Sequence, residues 1–326
     1  MKSKDRNYFK ILRAGINTTY QDLGRNNLYH IGIPFSGAMD KRNFQLLNSL
    51  LQNDYNSPVI EFAYQGPHLK YFGKDIFFCI SGNVSFKIIT KEGVIDGNSY
   101  QCYLLKNGDE VDIHSTNKSV YGYFSINGTF GVDYYWGSCS INTQAQIGPN
   151  NGNKFSKDLE IEIIDINNSF NKRKLDYLGS TIENIRVIKG TNYDYFSESS
   201  QNKFFKESFK ITKLSDRMGM RLEGPKIENI VDPNIKSEGL VKGVIQITSA
   251  GDPIIMLSDH GTIGGYPKIA TVISADYDRL VQLTPGSNIK FKDVSLEDAE
   301  TLYKLYQMET NNCLLYTSPS PRDAYV

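Results

Sequence analysis

The stretch VIQITSAGDPIIMLS, Val244 to Ser258, joins two short apolar runs through the residues SAGDP. Isoleucine and valine in the runs favour strands, whereas Gly, Asp and Pro between them favour a tight turn. This pattern predicts a β-hairpin around Thr248 to Ile254. Because similar runs recur along the chain, the sequence predicts a mainly β protein.

The other runs of this kind are broken by Gly, Asn, Asp and Pro. They read DIFFCISG, VSFKIIT, VYGYFSING, LEIEIIDI, IRVIKG, SFKITKL and NIKFKDV. Two segments stand out by a helical spacing of apolar residues. One follows Asp40 as N-cap and has Phe44, Leu47 and Leu50 on one stripe, and the other starts at Ser295. Both helices are expected to pack over a sheet.

Composition narrows the classes of function. The 326 residues include 36 Lys and Arg and 36 Asp and Glu, so no net positive field favours nucleic acid or an anionic membrane. No run of about 18 apolar residues is present, and the charged N-terminus lacks the apolar core of a secretory signal. We therefore expect a cytoplasmic protein. The four cysteines lie far apart and are expected to be reduced, since none forms a C-x-x-C pair.

The polar segment 166–184, INNSFNKRKLDYLGSTIEN, separates two β-rich parts. It is the predicted linker between an N-terminal domain, 1–165, and a C-terminal domain, 185–309. Residues 310–326 are predicted to be a tail, because their Ser-Pro steps cannot continue a helix. The end CLLYTSPSPRDAYV resembles a translated adapter or cloning sequence, and a native disordered tail is the alternative.

Standard catalytic motifs are absent from the sequence. It has no phosphate-binding loop, no zinc-protease motif, no nucleophile elbow and no dinucleotide fingerprint. His30, His68, His114 and His260 are scattered and have no Cys or carboxylate at metal-ligand spacing, so no metal site is predicted. What remains is a set of clusters of polar residues and glycine within otherwise apolar β sequence.

Two of these clusters lie near the N-terminus. In TTYQDLGRNN, Asp22 and Arg25 flank a turn glycine, and in IPFSGAMD, Ser36 precedes the cap Asp40. Backbone N–H groups near a helix start can bind an anion. The alternative is a plain helix cap and a tight turn, and the residues alone favour that alternative.

The third cluster, SDRMGMRLEGP, places Asp216, Arg217 and Arg221 around Gly219. Two uses stay open. Either the charges form an ion-pair network that fixes the loop, or the arginines form a fork that binds a carboxylate or phosphate ligand. Arginines that face a cleft without a matched protein carboxylate would favour the second use.

The fourth cluster is SDHGTIGGYPK, residues 258–268. Its paired glycines permit backbone shapes in which N–H groups converge on an anion, and a structural turn is the alternative. Acid, hydroxyl and ammonium groups come from Asp259, Thr262, Tyr266 and Lys268. Four clusters of polar residues and glycine are more than turns usually need in one β-rich chain, so we expect them to line one cleft.

Taken in this order, the segments resemble the family of 5-oxoprolinase C subunits, also described as KipA-like proteins or allophanate hydrolase subunit 2. The same module is the carboxyltransferase subdomain A/B part of urea carboxylases. The resemblance covers about Ile11 to Ala299. It rests on QDLGR, SGAMD, the stretch from Glu61 to Pro67, ING followed by GSCS, IRVIKG, SDRMGMRLEGP, SEGLVKGVIQ, GDPIIMLSD, GGYPKIATVI and QLTPG.

The resemblance implies two tandem cyclophilin-like β-barrel domains with a few short helices. It also implies a hydrolase component, active only in complex, of an ATP-dependent 5-oxoprolinase that converts 5-oxoproline to glutamate. Its partners would be a KipI-like subunit and a lactam-opening subunit. Two alternatives stay open: a carboxyltransferase component of a biotin-dependent urea carboxylase-like enzyme, and a non-catalytic KipA-like regulator that binds a KipI-like kinase inhibitor.

Site residues follow from the resemblance and the clusters together. The candidate catalytic residues are Asp216, Arg217 and Arg221, and either arginine would suit a substrate carboxylate or a transferring phosphoryl group. The candidate substrate-binding residues are Asp22, Arg25, Ser36, Asp259, Thr262, Tyr266 and Lys268. Cys139 departs from the family pattern, because relatives usually carry Arg there, and His260, Gly261 and Ile263 stand where polar residues are commoner. If that Arg takes part in catalysis, the activity of this chain is expected to be weaker or altered.

Overall fold

The computed structural model describes residues 6–167, 169–171, 173–175, 182 and 184–316, with side chains as far as Cys313. These residues form two compact units. The first unit contains the described residues of Met1–Gly24, Asp40–Gly179 and Glu309–Val326, and the second contains those of Arg25–Met39 and Ser180–Met308. The segment Arg25–Met39 therefore belongs to the second unit, although it lies early in the chain.

Two antiparallel sheets make up the first unit. Its strands are β1 (Asn7–Arg13), β2 (Thr19–Gln21), β3 (Val59–Ala63), β4 (His68–Phe72), β5 (Ile76–Ser81), β6 (Val84–Thr90), β7 (Gly93–Gly97), β8 (Tyr103–Leu105), β9 (Glu110–Thr116), β10 (Tyr121–Ile126), β11 (Gly128–Phe130) and β12 (Glu160–Ile166). One sheet has the order β11-β12-β1-β4-β9-β6-β7, and the other has the order β2-β3-β10-β5-β8.

The core of the first unit is rich in aromatic rings. Phe9 on β1, Phe78 on β5 and Phe124 on β10 are fully buried. The ring of Phe9 meets that of Phe124 edge-on at 5.4 Å between centroids, and Phe78 stacks on Phe124 at 5.6 Å. Ring pairs of this kind add about 0.5–1.5 kcal/mol beyond the burial of their area. Since both sheets contribute to this core, they pack face to face.

Helix α1 (Lys41–Leu50) packs on β5 and β10 of the smaller sheet. Its N-cap is Asp40, whose carboxylate accepts the backbone N–H of Asn43 at 2.9 Å. The backbone N–H of Asp40 in turn donates to the hydroxyl of Tyr123 at 2.8 Å. Tyr123 belongs to a buried polar row that crosses the sheet, formed by Thr19, Glu61, Tyr123 and Ser81. The start of the helix is therefore fixed to the sheet by polar contacts.

The second unit is built on a closed barrel of seven strands. Its strands are β13 (Asn184–Lys189), β14 (Phe209–Ile211), β15 (Gly219–Glu223), β16 (Glu238–Gly239), β17 (Val244–Ile247), β18 (Pro253–Met256), β19 (Ile263–Gly264), β20 (Lys268–Val272) and β21 (Asn288–Asp293). The barrel order is β13-β20-β17-β18-β15-β14-β21, and β16 and β19 form a separate pair. On β15, Met220 and Leu222 are buried whereas Arg221 and Glu223 are exposed, so the strand alternates between barrel interior and solvent.

The remaining α-helices of the described residues are α2 (Glu198–Lys206), α3 (Ser274–Leu280) and α4 (Leu296–Tyr316). Ser295 caps α4, since its hydroxyl accepts the backbone N–H of Asp298 at 3.0 Å. The helix continues to Tyr316, past residue 310 where the tail was predicted to begin. Among the described residues, no helix combines the length and the apolar character needed to cross a membrane.

The mainly β prediction is confirmed, and so are the two helix caps at Asp40 and Ser295. The predicted hairpin is formed by β17 and β18, in which Ile247 faces Pro253. The two barrels implied by the resemblance correspond to the closed barrel of the second unit and the two packed sheets of the first. The domain boundaries stay a prediction, because residues 168, 172, 176–181 and 183 of the linker and 317–326 of the tail lie outside the described residues.

Candidate functional site

The segment Arg25–Met39 forms a closed loop in the second unit. The backbone N–H of Arg25 donates to the carbonyl of Phe35 at 2.7 Å, which joins the two ends of the loop. Between them, a 3-10 helix at Tyr29–Ile31 ends at Gly32 in the left-handed conformation. The backbone between residues 25 and 35 therefore returns on itself over a short span.

Within this segment, directly after Phe35, Ser36 and Gly37 both have positive φ, 59° and 85°. A left-handed conformation costs a residue with a side chain about 1–2 kcal/mol. Two contacts hold it: the N–H of Ser36 donates to the carbonyl of Ser258 at 2.9 Å, and Arg217 Nη2 donates to the carbonyl of Gly37 at 2.7 Å. Strain of this kind often marks functional sites.

Arg217 and Asp259 form a buried bidentate ion pair in the second unit. Arg217 Nε donates to Asp259 Oδ2 at 2.8 Å, and Nη2 donates to Oδ1 at 3.0 Å. The side chains are only 12% and 2% exposed. Arg217 thus has a matched protein carboxylate, which favours the ion-pair network that fixes a loop over the fork that binds a ligand. A catalytic role for Arg217 stays a prediction.

His260, next to this ion pair in sequence, is buried and lies against Tyr29. Its Nδ1 is 2.6 Å from the carbonyl oxygen of Gly261, and its Nε2 is 3.2 Å from the Tyr29 hydroxyl. Burial lowers the pKa of His260 below its usual value, although the Gly261 carbonyl acts in the opposite direction, so the neutral ring is favoured at pH 7. Because the carbonyl can only accept, Nδ1 carries the proton and Nε2 accepts from Tyr29.

A cavity of about 490 Å³ opens within the loop. Its lining residues are Arg25, Asn26, Asn27, Tyr29, His30 and Phe35. They offer one guanidinium, side-chain amides and aromatic rings, a donor set that suits a small ligand with a carboxylate and an amide. Tyr29 belongs both to this cavity and to the contact with His260, so the cavity adjoins the Arg217–Asp259 pair through that histidine.

Asp22 lies in the first unit and has a different set of partners. It is fully buried, and its Oδ1 accepts from the hydroxyls of Ser138 and Ser140, each at 2.6 Å, and from the N–H of Gly24 at 2.8 Å. Its Oδ2 accepts the backbone N–H of Cys139 at 2.9 Å. The side chain of Cys139 is itself buried. Asp22 is therefore an acceptor that ties the segment Ser138–Ser140 to the strand end at β2.

Asp216 and Arg221, the other two candidate catalytic residues, are exposed. The carboxylate of Asp216 accepts the backbone N–H groups of Met218 and Gly219 at 2.8 and 3.1 Å, which forms an Asx turn. Arg221 projects from the outward face of β15. The structure does not bring either side chain to the Arg217–Asp259 pair.

The last three candidate residues lie on or near β19 and β20. Lys268 is buried, and its ammonium binds the carboxylate of Glu238 on β16. This contact lowers the pKa of Glu238. Thr262 and Tyr266 use their backbone carbonyls, which accept from Leu240 N and from Gln246 Nε2 at 3.0 and 2.8 Å. Lys268 therefore pairs with Glu238 and not with Asp259.

Of the predicted residues, Ser36, Arg217 and Asp259 come together in one contact network, and Arg25 lines the cavity beside it. Sequence reasoning missed Tyr29 and His260 as a pair, and it missed Asn26 and Phe35 as cavity residues. The signal present was the dense run RNNLYHIGIPF, residues 25–35, in which amides, aromatics and a histidine lie on either side of Gly32. Nothing local in that run indicates that its ends meet.

Comparison with known proteins assigns this chain to a family. Residues 31–293 match the carboxyltransferase domain, subdomain A and B. The chain belongs to this family. The matched range includes the Arg217–Asp259 pair and the whole barrel, but of the cavity lining it includes only Phe35.

Two bacterial proteins, each named as the C subunit of 5-oxoprolinase, are similar over nearly their whole length. The protein of Haemophilus influenzae is 32% identical over 293 residues, which are 90% of this chain and 93% of that protein. The protein of Escherichia coli is 31% identical over 297 residues, 89% of this chain and 92% of that protein. The resemblance read from the sequence segments is therefore confirmed.

A solved structure extends the likeness to the fold. The urea amidolyase of K. lactis superposes with a TM-score of 0.87 at 26% sequence identity. The match covers 96% of this chain but only 20% of that protein. The fold of this chain thus occurs there as one part of a longer polypeptide.

Proposed function

We propose that the protein is the C subunit of a cytoplasmic ATP-dependent 5-oxoprolinase, a hydrolase that converts 5-oxoproline to glutamate. It would act with a KipI-like subunit and a lactam-opening subunit. One observation carries the proposal: the Haemophilus influenzae protein of that name is 32% identical and is matched over 93% of its length. A match that covers nearly all of both chains favours a shared role over the mere sharing of one module.

The cavity within Arg25–Met39 supports this substrate class. 5-Oxoproline carries one carboxylate and one lactam amide on a small ring. Arg25 brings a positive charge to the cavity lining, which favours a carboxylate, and Asn26 offers an amide that can pair with the lactam N–H and C=O. Tyr29 and Phe35 provide apolar walls for the ring methylenes. The site would therefore bind and orient the substrate.

In this proposal, Arg217 and Asp259 hold the loop that carries the cavity. Their pair fixes the carbonyl of Gly37, and the N–H of Ser36 is fixed by Ser258. Correct placement of a bound ring relative to groups supplied by the partners lowers the activation free energy by about several kcal/mol. We assign Arg217 a positioning role.

ATP would supply a phosphoryl group that makes the unstrained lactam a better electrophile. The cavity does not fit a triphosphate, because that group carries several negative charges and the described residues of the lining offer one permanent cation, Arg25. We therefore propose that ATP is bound with residues of a partner protein.

The test is reconstitution of the three subunits, with ATP-dependent release of glutamate as the readout. We expect Asn26→Ala and Tyr29→Phe to raise the KM for the substrate at least several-fold, whereas Asn202→Ala, an exposed asparagine on α2, leaves it unchanged. Absence of glutamate release from the complete wild-type assembly would reject the function. Release with an unchanged KM in Asn26→Ala would reject only the cavity assignment.

A carboxyltransferase component of a biotin-dependent enzyme is the second candidate. The family description and the fold match to the K. lactis urea amidolyase favour it. Turnover of the assembled complex that requires a biotinylated carrier would support this candidate over the first. If the KipI-like protein binds and no turnover is found with either cofactor, the regulator alternative gains support.

A further inference from the structure

A tight turn in the first unit exposes three adjacent aromatic side chains. Tyr134, Tyr135 and Trp136 are 53%, 39% and 56% exposed. Tyr135 and Ser138 exchange backbone hydrogen bonds at 2.8 and 3.3 Å, which leaves Trp136 and Gly137 as a two-residue loop. We call residues 134–137 the aromatic turn.

The backbone of the aromatic turn is strained at its largest residue. Trp136 and Gly137 have φ values of 52° and 78°, as in a type I′ turn. Asn or Gly at position 136 would adopt this conformation at lower cost, whereas a bulky residue there is an outlier. The sequence thus places an indole in solvent at a position that disfavours it, which points to a use for the ring.

The aromatic turn is also rigidly anchored. Ser138, which closes it, donates its hydroxyl to Asp22 at 2.6 Å, and the next N–H, of Cys139, donates to the other carboxylate oxygen at 2.9 Å. Asp22, Ser138 and Cys139 are all fully buried. Rigid presentation lowers the entropy lost when exposed side chains are immobilised by a partner.

The exposed area of the aromatic turn fits the centre of a protein interface. A buried aromatic side chain covers about 150–250 Å², and about half of each ring is exposed here, so the three rings present roughly 200–400 Å². A stable interface of standard size needs about 800 Å² on each partner. The turn would therefore supply the core of such an interface, and further surface around it would complete the contact area.

We infer that Tyr134, Tyr135 and Trp136 form the centre of the surface that binds the proposed KipI-like subunit. This inference rests on the proposed function. The occupant is a protein surface with an apolar hollow and with an acceptor group for the indole N–H. A second copy of this chain is disfavoured, because the similar bacterial proteins are named as lettered subunits, and in the K. lactis urea amidolyase the same fold adjoins other parts of one polypeptide.

The variant that tests this surface is Trp136→Asn. It creates the Asn-Gly sequence that type I′ turns prefer, so it removes the indole and retains the turn. The matched control is Tyr55→Ala, which removes another aromatic ring, 65% exposed, from the same unit. The probe is the purified KipI-like subunit, titrated calorimetrically against each full-length variant.

A second readout uses the fact that Trp136 is the only tryptophan of the chain. Incorporation of 5-fluorotryptophan into this chain alone gives one fluorine resonance. We expect that resonance to shift on addition of the KipI-like subunit. We expect Trp136→Asn to raise the Kd at least tenfold, while Tyr55→Ala stays within twofold of the wild type.

Several results would overturn the inference. Equal Kd values for wild type and Trp136→Asn, with an unmoved fluorine resonance, would reject the surface and leave the proposed function standing. No binding of the KipI-like subunit to the wild type would reject both. Concentration-dependent dimers of the wild type that Trp136→Asn abolishes would assign the surface to a second copy instead.

Discussion

Asp22 in the first unit and Asp259 in the second are both buried carboxylates, but different donors hold them. Asp22 accepts from two hydroxyls and two backbone N–H groups, all of which are neutral. Asp259 accepts two bonds from the guanidinium of Arg217. The first carboxylate is solvated by dipoles, and the second is neutralised by a charge.

This difference predicts how each region responds to change. Loss of one neutral donor around Asp22 leaves three others in place, whereas loss of Arg217 removes the whole counter-charge of Asp259. The two carboxylates also anchor different features, the aromatic turn at Asp22 and the strained Ser36-Gly37 backbone at Asp259. We therefore expect separate effects on partner binding and on substrate binding.

The largest effect on stability is expected from Arg217→Met. This change leaves the Asp259 carboxylate buried and unpaired, which costs about 3–5 kcal/mol of the free energy of unfolding. The double variant Arg217→Met/Asp259→Leu should recover most of that loss, because neither charge of the pair remains. Urea denaturation of both variants and the wild type measures the difference. Equal losses of unfolding free energy in the single and double variants would show that the loss does not come from leaving the Asp259 charge unpaired.

Asp22→Asn is expected to cost less, about 1.5–3 kcal/mol. The amide nitrogen must replace one carboxylate oxygen, and at the Oδ2 position it would face the backbone N–H of Cys139, which can only donate. Ser138→Ala should cost less still, since Oδ1 keeps two of its donors. The same denaturation experiment ranks the two variants. A greater loss for Asp22→Asn than for Arg217→Met would contradict the comparison.

His260 gives the second unit a pH dependence. Burial lowers the pKa of His260 in the folded state, so below about pH 6.5 the unfolded chain takes up the proton first. The free energy of unfolding should then fall as the pH decreases, by at most roughly 1.4 kcal/mol per pH unit from this residue. His260→Gln keeps a donor and an acceptor but cannot titrate. A difference between wild type and His260→Gln that does not change between pH 7.5 and 5 would argue against a buried neutral ring.

The smallest effect is expected at the partly exposed pair of Lys268 and Glu238. The ammonium of Lys268 lowers the pKa of Glu238. Because this pKa is depressed, the pair contributes stability above the unfolded pKa of a glutamate and loses it as the pH falls through the folded value. Lys268→Met should return the pKa of Glu238 toward its ordinary range, which carboxyl NMR titration measures. An unchanged titration would place Lys268 with another partner.

Local sequence was enough for the elements of the fold. The hairpin at Thr248 to Ile254 and the caps at Asp40 and Ser295 depend on residues only a few positions apart, and all three are confirmed. Such features follow from turn and capping preferences that act within one segment.

The contacts of the candidate site could not be read from local sequence. Arg217 meets Asp259 across 42 residues and the carbonyl of Gly37 across 180. Lys268 on β20 meets Glu238 on β16, which belongs to the short pair β16–β19 that the residues did not indicate. Whether YYW in residues 134–136 is core or surface is also undecided by the letters, since aromatics fill both. Which residue a side chain contacts, and how much of that side chain is exposed, depend on the folded chain.

The most direct test measures two constants on two variants, in the reconstituted assembly. Trp136→Asn and Asn26→Ala are compared for the Kd of the KipI-like subunit and, with that subunit at saturation, for the KM of the substrate. We predict that Trp136→Asn raises the Kd at least tenfold with little change in KM, and that Asn26→Ala raises the KM with little change in Kd. If either variant changes both constants together, or if the two effects are exchanged, the first unit and the second do not divide partner and substrate binding in the way proposed here.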